Sequence, residues 1–185
     1  MKKIKLAVYG GAFNPPHAGH TSVIKRLLDQ ADIILIVPSF AHPFGKSMAP
    51  FNTRIEWLKK LVDSAKLSSR VIISDVEEIM VKNGIVNGPI YSIDLLRHLH
   101  KSYGCASKEI ALVMGEDNAK VFPSFYGYQD IIDNFSVIVL EETMQLHSTM
   151  IRQHLSEHNT IPAEWMIEGL DIADYRSLLI PAQTA

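Results

Sequence analysis

Apolar residues in this chain come in short unbroken runs, each stopped by glycine or proline. Ile4-Lys5-Leu6-Ala7-Val8-Tyr9 ends at Gly10-Gly11, and Ile33-Ile34-Leu35-Ile36-Val37 ends at Pro38. Runs of this length predict buried strands. Unbroken ones suit a parallel sheet covered on both faces, where neither face can be polar. Further strands are predicted from Arg70 to Val76, Glu109 to Met114 and Ser136 to Leu140. Between the runs the spacing turns helical. Val23, Ile24, Leu27 and Leu28 mark a helix from about His20 to Gln30, and Ile55, Leu58, Leu61, Val62 and Ala65 mark another, with Asn52 as its expected cap. Ser92 is the expected cap of a helix from Ile93 to Lys101, and Ser148 of one reaching His154 or Leu155. Asn83-Gly84 and Asn87-Gly88-Pro89 mark turns, a loop rich in aromatics follows Asp117, and Glu164 to Leu179 closes in helical residues. Strand and helix alternate throughout, which predicts an α/β fold: an open, mainly parallel five-stranded sheet with helices on both faces. No repeat, low-complexity tract or long linker divides the chain. Residues 1–185 therefore read as one domain, with about 156–185 as a C-terminal helical closure.

Composition narrows the class of ligand. Hydrophobic residues make up 47% and charged residues 21%, enough apolar material for a core. The net charge is −2, whereas a protein that lives on nucleic acid carries a basic excess. A small anionic ligand fits better than a polymer. The single cysteine, Cys105, allows neither an intrachain disulfide nor a Cys-rich zinc site, and suits a reducing compartment. Met1-Lys2-Lys3 resembles the start of a signal peptide, but the apolar run behind it is short and lacks a small-residue cleavage pattern. No segment approaches the about 20 apolar residues of a membrane span. A cytoplasmic protein is expected, with no membrane partner and no metal held by protein ligands alone; homo-oligomer formation stays open.

The first strand-to-helix loop carries the densest chemistry. In open α/β sheets, ligands bind beyond the carboxyl ends of the strands, where the strand order reverses. The loop reads Gly10-Gly11-Ala12-Phe13-Asn14-Pro15-Pro16-His17-Ala18-Gly19-His20. Gly10 and Gly11 allow a sharp turn and a close approach to a ligand. A helix starting near Gly19 aims unpaired N–H groups and its positive end into the loop, which attracts phosphate. His17 and His20 are spaced so that both imidazoles face one point, and two ring donors, partly positive beside phosphate, suit a triphosphate. Both the Gly-x-Gly-x-x-Gly dinucleotide fingerprint and the Walker Gly-Lys-Ser/Thr are absent. A tight turn with incidental histidines would explain the pair alone, but not the glycines, Phe13, the prolines and His-x-Gly-His together. Far along the chain, Ser148-Thr149-Met150-Ile151-Arg152 opens another helix. Thr149 and Arg152 share a face there, so hydroxyls, N–H groups and a guanidinium form a second phosphate clamp. By itself that string more commonly means an ordinary capped helix with a solvated arginine.

Gly-x-Phe-x-Pro-x-His-x-Gly-His, residues 11–20, resembles the signature of the nucleotidyltransferase superfamily. The Gly-Gly start and His-x-Gly-His ending look most like the bacterial nicotinate-nucleotide adenylyltransferases. Residues 148–152 resemble the second signature of that family, Ser-Thr-x-Ile-Arg, in the matching order. Tyr91-Ser92-Ile93-Asp94-x-Leu96 and Gly115-Glu116-Asp117 extend the likeness, which reaches about His154. The resemblance implies a Rossmann-like sheet and transfer of AMP from ATP to nicotinate or nicotinamide mononucleotide, with Mg²⁺ bridging the ATP phosphates. It implies that His17, His20 and Arg152 are catalytic. Gly10, Gly11, Phe13, Gly19, Gly115, Asp117, Ser148 and Thr149 would lie at ATP. Lys46, Tyr91, Ser92 and Phe125 would lie at the pyridine nucleotide. Asp117 is equally a helix cap, Lys46 a solvated loop lysine and Phe125 a core residue.

The chain also departs from the family pattern. Asn14 stands where many relatives carry Asp, without implying lost activity. Residues 38–46 are not the usual Pro-Pro-His-Lys form, and His42 reads as either a third phosphate donor or a loop residue with no role. Phe125 replaces a tryptophan and offers a smaller platform to a ring. Glu141-Glu142 replaces a basic residue; unless the two face away, they repel a substrate carboxylate and favour the pyridine amide over the acid. Ile172, Tyr175, Leu178 and Leu179 replace the usual tail and read as core packing or an interface. Two rival functions remain: another small-molecule nucleotidylyltransferase on the same fold, acting on phosphopantetheine or an alcohol phosphate, and a nucleotide-sensing module without chemistry.

Overall fold

A computed structural model describes residues 3–41, 48–141 and 143–179. Lys46 and His42 fall outside the described residues, as does Glu142. Five strands, β1 (Ile4–Gly11), β2 (Ala31–Pro38), β3 (Val71–Ile73), β4 (Ile110–Gly115) and β5 (Ser136–Leu140), form one parallel sheet in the order β3-β2-β1-β4-β5. The order reverses between β1 and β4, which is where such sheets open a ligand crevice.

The unbroken apolar runs resolve into period-two alternation with both faces buried. Ala7, Ile34, Ile36, Ala111 and Val113 face one cluster, with Ile24 and Leu27 of α1 (Ala18–Leu27), Trp57, Leu58 and Leu61 of α2 (Phe51–Ser64) and Ile151 and Leu155 of α7 (Ser148–His158). Leu6, Val8, Leu35, Val37, Leu112 and Met114 face the other. There they meet Val76 and Met80 of α3 (Val76–Lys82), Ile93, Leu96 and Leu99 of α4 (Ser92–Tyr103) and Ile131 of α6 (Tyr128–Asn134). Each of the buried Val, Leu, Ile and Met side chains among them contributes about 1.5–3 kcal/mol on burial.

Several expectations need correction. The third strand ends at Ile73, and α3 begins three residues on. The Ser74 hydroxyl accepts the Val76 N–H at 3.2 Å, and Glu77 and Glu78 sit in the first turn, where the helix dipole favours negative charge. Pro50, Tyr91 and His147 are the N-caps of α2, α4 and α7, so Asn52, Ser92 and Ser148 lie inside their helices. Part of the aromatic loop is helical, as α5 (Glu116–Val121) and α6. The tail is not one helix: Gly169 adopts φ 87°, and only α8 (Ile172–Arg176) is α-helical, capped by the Asp171 carboxylate. Tyr175 of α8 is fully buried in the first cluster and Ile172 and Leu178 pack against it partly buried, whereas Leu179 is exposed.

Candidate active site

The loop after β1 has few backbone partners of its own, and side chains from three helices hold its carbonyls. Arg54 Nη1 of α2 donates to the Ala12 carbonyl at 2.8 Å. Arg152 Nη1 of α7 donates to that of Asn14 at 2.6 Å, and Ser148 Oγ to that of Pro15 at 2.9 Å. The Tyr175 hydroxyl of α8 donates to Pro16 at 3.2 Å. The Asn14 amide oxygen accepts the Ala49 N–H at 2.9 Å. The loop is thus fixed by groups remote in sequence, which is how the two motifs come together.

Phe13 adopts φ 48°, a left-handed conformation that costs an L residue about 1–2 kcal/mol. Its ring is 1% exposed and packs edge-on against Tyr9 (5.4 Å between centroids) and against His20 (4.8 Å). A Cβ on Gly11 would lie 3.2 Å from that ring, so any larger residue there would have to push the ring aside. Phe13 therefore supports His20 from beneath and presents no face to a ligand.

The two imidazoles lie 3.8 Å apart. His20 Nδ1 accepts the backbone N–H of His17 at 3.0 Å and so caps α1. A ring nitrogen that accepts carries no proton, so the His20 proton sits on Nε2, which is left to donate outward. Burial, and then His17 beside it, hold the His20 imidazole well below its usual range. His17 is lowered to about 4, by burial first and His147 second. Both shifts favour neutral rings at pH 7 in the free site. His17 Nδ1 is buried without a partner, and a Cβ on Gly19 would come within 3.0 Å of it. Glycine at that place avoids a tight contact with the imidazole.

Two clefts open at the carboxyl ends of β1 and β4. The first, about 370 Å³, is lined by His17, Gly19, His20, Gly115, Asp117 and Ser148, among others. The second, about 290 Å³, is lined by Gly10, Gly11, Tyr91, Ser92, Phe125 and Glu77, among others. Val113, Met114 and Asn118 belong to both, so the clefts share a wall. Gly10 and Gly11, expected beside ATP, open instead into the second cleft with Tyr91, Ser92 and Phe125. Thr149 is exposed, and its hydroxyl accepts from Arg152 Nη2 at 3.1 Å. Asp117 pairs with Lys120 at 2.9 Å on the rim of the first cleft.

Residues 8–166 match the Cytidylyltransferase-like family. A probable nicotinate-nucleotide adenylyltransferase from a Nitratiruptor species is 34% identical over 131 residues, 69% of this chain and 68% of that protein. The chain belongs to the nicotinate-nucleotide adenylyltransferase family. A second such relative, from a Thermotoga species, is 31% identical over 73% of this chain and 64% of its own length, so the chain spans about two thirds of these curated relatives. Among solved structures, one from Vibrio parahaemolyticus, assigned as a nicotinate-nucleotide adenylyltransferase, superposes with a TM-score of 0.75 at 28% identity. It covers 96% of this chain and 99% of that one. A Plasmodium falciparum nicotinic acid mononucleotide adenylyltransferase complexed with NaAD shares the fold, with a TM-score of 0.69 at 16% identity over 89% of this chain and 91% of its own.

Within this adenylyltransferase framework, Glu141 lines the first cleft and not the second. Its charge is away from the aromatic cleft and gives no ground for an amide over an acid. Sequence reasoning missed three residues that build the site: Tyr175, Arg54 and Glu77. Arg54 is 1% exposed, with its guanidinium over the Phe51 ring at 5.5 Å. Glu77 is 9% exposed, and burial pushes its carboxyl up to about 7, against the Phe40 N–H and Arg54, which pull it down. A raised carboxyl binds its proton more tightly folded than unfolded. Its contribution is complete below the ordinary value of 4.5 and is lost as pH rises towards about 7. Glu77→Gln should therefore gain on the wild type by on the order of 1–3 kcal/mol between pH 4.5 and 7.5, read by urea unfolding at both pH values. A constant difference would show that Glu77 does not titrate in that window.

Among the described residues no helix is long and apolar enough to cross a membrane, and no three metal-ligating side chains cluster. The carboxylates on the first cleft, Glu116, Asp117 and Glu141, lie along its lining without converging on one point. This donor set fits an ion carried in by a nucleotide, since Mg²⁺ keeps several waters and needs few protein ligands.

Proposed function

We propose that the chain transfers the AMP unit of ATP to the phosphate of nicotinate mononucleotide, giving a dinucleotide and pyrophosphate. The observation that carries this reading is the shared wall of the two clefts. A nucleotide in the His17–His20 cleft and a mononucleotide in the Tyr91–Phe125 cleft would meet across Val113, Met114 and Asn118. The names of the relatives favour the acid over the amide.

The mononucleotide phosphate is an anion at neutral pH and is itself the nucleophile. Its oxygen forms a bond to the α-phosphorus, and the bond from that phosphorus to the β-phosphate oxygen breaks, releasing pyrophosphate. No general base is required. The protein aligns the two phosphates and neutralises the charge that spreads over the transferred group. His20 Nε2–H and His17 serve as neutral donors to phosphate oxygens. The first turn of α1 adds backbone N–H groups, and Arg152 adds a fixed positive charge behind the loop. Gly19, Gly115, Asp117, Ser148 and Thr149 are assigned to the ATP side, and Tyr91, Ser92, Phe125 and Lys46 to the pyridine side. Mg²⁺, when bound by the triphosphate, supplies further charge neutralisation.

The test is pyrophosphate release from ATP with nicotinate mononucleotide, nicotinamide mononucleotide, phosphopantetheine or glycerol phosphate as acceptor. Release is expected with the pyridine mononucleotides only, fastest with the acid. Release only with another acceptor would reassign the enzyme within its fold. Tight ATP binding with no release from any acceptor would make it a nucleotide-sensing module.

A further inference from the structure

The peptide bond between Ser39 and Phe40 is held at both ends by buried ionisable side chains that the adenylyl-transfer chemistry does not use. Its carbonyl accepts from Arg54 Nη2 at 2.8 Å, and its N–H donates to Glu77 Oε2 at 2.8 Å. A trans peptide is planar, with C=O and N–H on opposite edges. Two bonds at opposite edges fix the rotation of that plane about the chain. The Ser39 N–H is separately held by the Gly11 carbonyl at 2.9 Å. The segment follows directly on β2, and Ser39, Ala41 and Glu77 form part of the wall of the second cleft. Arg54 comes from α2 and Glu77 from α3, which pack on opposite faces of the sheet. Apolar residues at both places would serve packing at least as well, because burying charge carries a desolvation penalty. The charges answer a need for position.

We propose that Arg54 and Glu77 are positioning residues that set the shape of the pyridine-nucleotide cleft by clamping the Ser39–Phe40 peptide. This rests on the second cleft being the pyridine half-site. The two partners act unequally. Glu77 holds the Phe40 N–H, between Ser39 and Ala41 of the second cleft's wall. Arg54 also donates to the carbonyls of Ala12 (2.8 Å) and Ala49 (3.0 Å), and the Ala49 N–H is bonded to Asn14. Its reach extends into the loop that carries the histidines. Losing Glu77 should disturb one substrate, and losing Arg54 both.

Steady-state kinetics with each substrate varied, together with amide exchange at Phe40, test this. Glu77→Ala is expected to raise KM for nicotinate mononucleotide roughly tenfold, the scale of one hydrogen bond, with KM for ATP changed less than about twofold. Glu77→Gln, whose amide oxygen still accepts from Phe40, should restore KM to near wild type. Arg54→Met should raise both KM values. Exchange of the Phe40 amide should accelerate in Glu77→Ala and not in Glu77→Gln. If Glu77→Ala raises both KM values alike, or only lowers the melting temperature, Glu77 serves folding and the proposal is wrong. An unchanged KM for the mononucleotide also overturns it. Should the wild type release no pyrophosphate with any pyridine mononucleotide, the functional reading falls by itself. Phe40 exchange in the two Glu77 variants would then still decide whether the clamp exists.

Discussion

His20→Ala should slow turnover by roughly two to four decades, about 3–5 kcal/mol in barrier height, while KM for ATP changes far less. The ring's tautomer is the cause. Nδ1 of His20 is occupied by the His17 N–H at 3.0 Å, so the ring can only offer Nε2–H to the ligand. A neutral donor fixed by a helix cap, supported from below by Phe13 at 4.8 Å, has no rotation left to lose when charge develops on the phosphate. Preorganised donors of this kind are worth most in the transition state, so the loss should fall on kcat. Alanine also removes the cap, by itself worth about 0.5–2 kcal/mol of stability. His20→Gln separates the two effects, because glutamine at this helix position accepts the same N–H. It should keep the wild-type melting temperature and still lose turnover. Near-normal turnover in either variant would remove His20 from the mechanism.

Arg152→Ala should lower kcat/KM by roughly two to three decades, or about 3–4 kcal/mol. Arg152 joins the two motifs physically: Nη1 holds the Asn14 carbonyl at 2.6 Å and Nη2 the Thr149 hydroxyl at 3.1 Å. Its removal takes away one of the bonds that set the loop and, on the proposed reading, a positive charge behind it. Arg152→Lys should recover only a small part, since an ammonium keeps the charge but cannot reproduce the fork that spans two acceptors. Full recovery with lysine would show that charge alone matters. A loss below about threefold in Arg152→Ala would exclude both roles.

Much of the architecture was legible because it depends on local pattern. The five apolar runs became five parallel strands, with Ser136–Leu140 matched at both ends. The errors fall where hydrogen bonds overrode composition. Ser148 looked like a cap, yet its hydroxyl reaches across 133 residues to Pro15. Arg54 could have been noticed, since it falls on the buried stripe with Trp57, Leu58 and Leu61, where a charge demands a reason. Glu77, next to buried Val76 and three positions before buried Met80, gave a fainter version of the same signal. Tyr175 gave none: nothing in its neighbourhood points to a carbonyl 159 residues away.

The sequence by itself determined the strand runs, the α/β alternation and the two motifs that converge on the first loop, because each follows from spacing along a regular element or from a contiguous string. Only the tertiary structure decided which nitrogen of His20 carries the proton, that Phe13 is a support and not a contact, and that Gly10 and Gly11 serve the second cleft. It also decided that carbonyls of one short loop are held from three separate helices. Those outcomes depend on distances between residues far apart in the chain, and local periodicity carries no information about such distances.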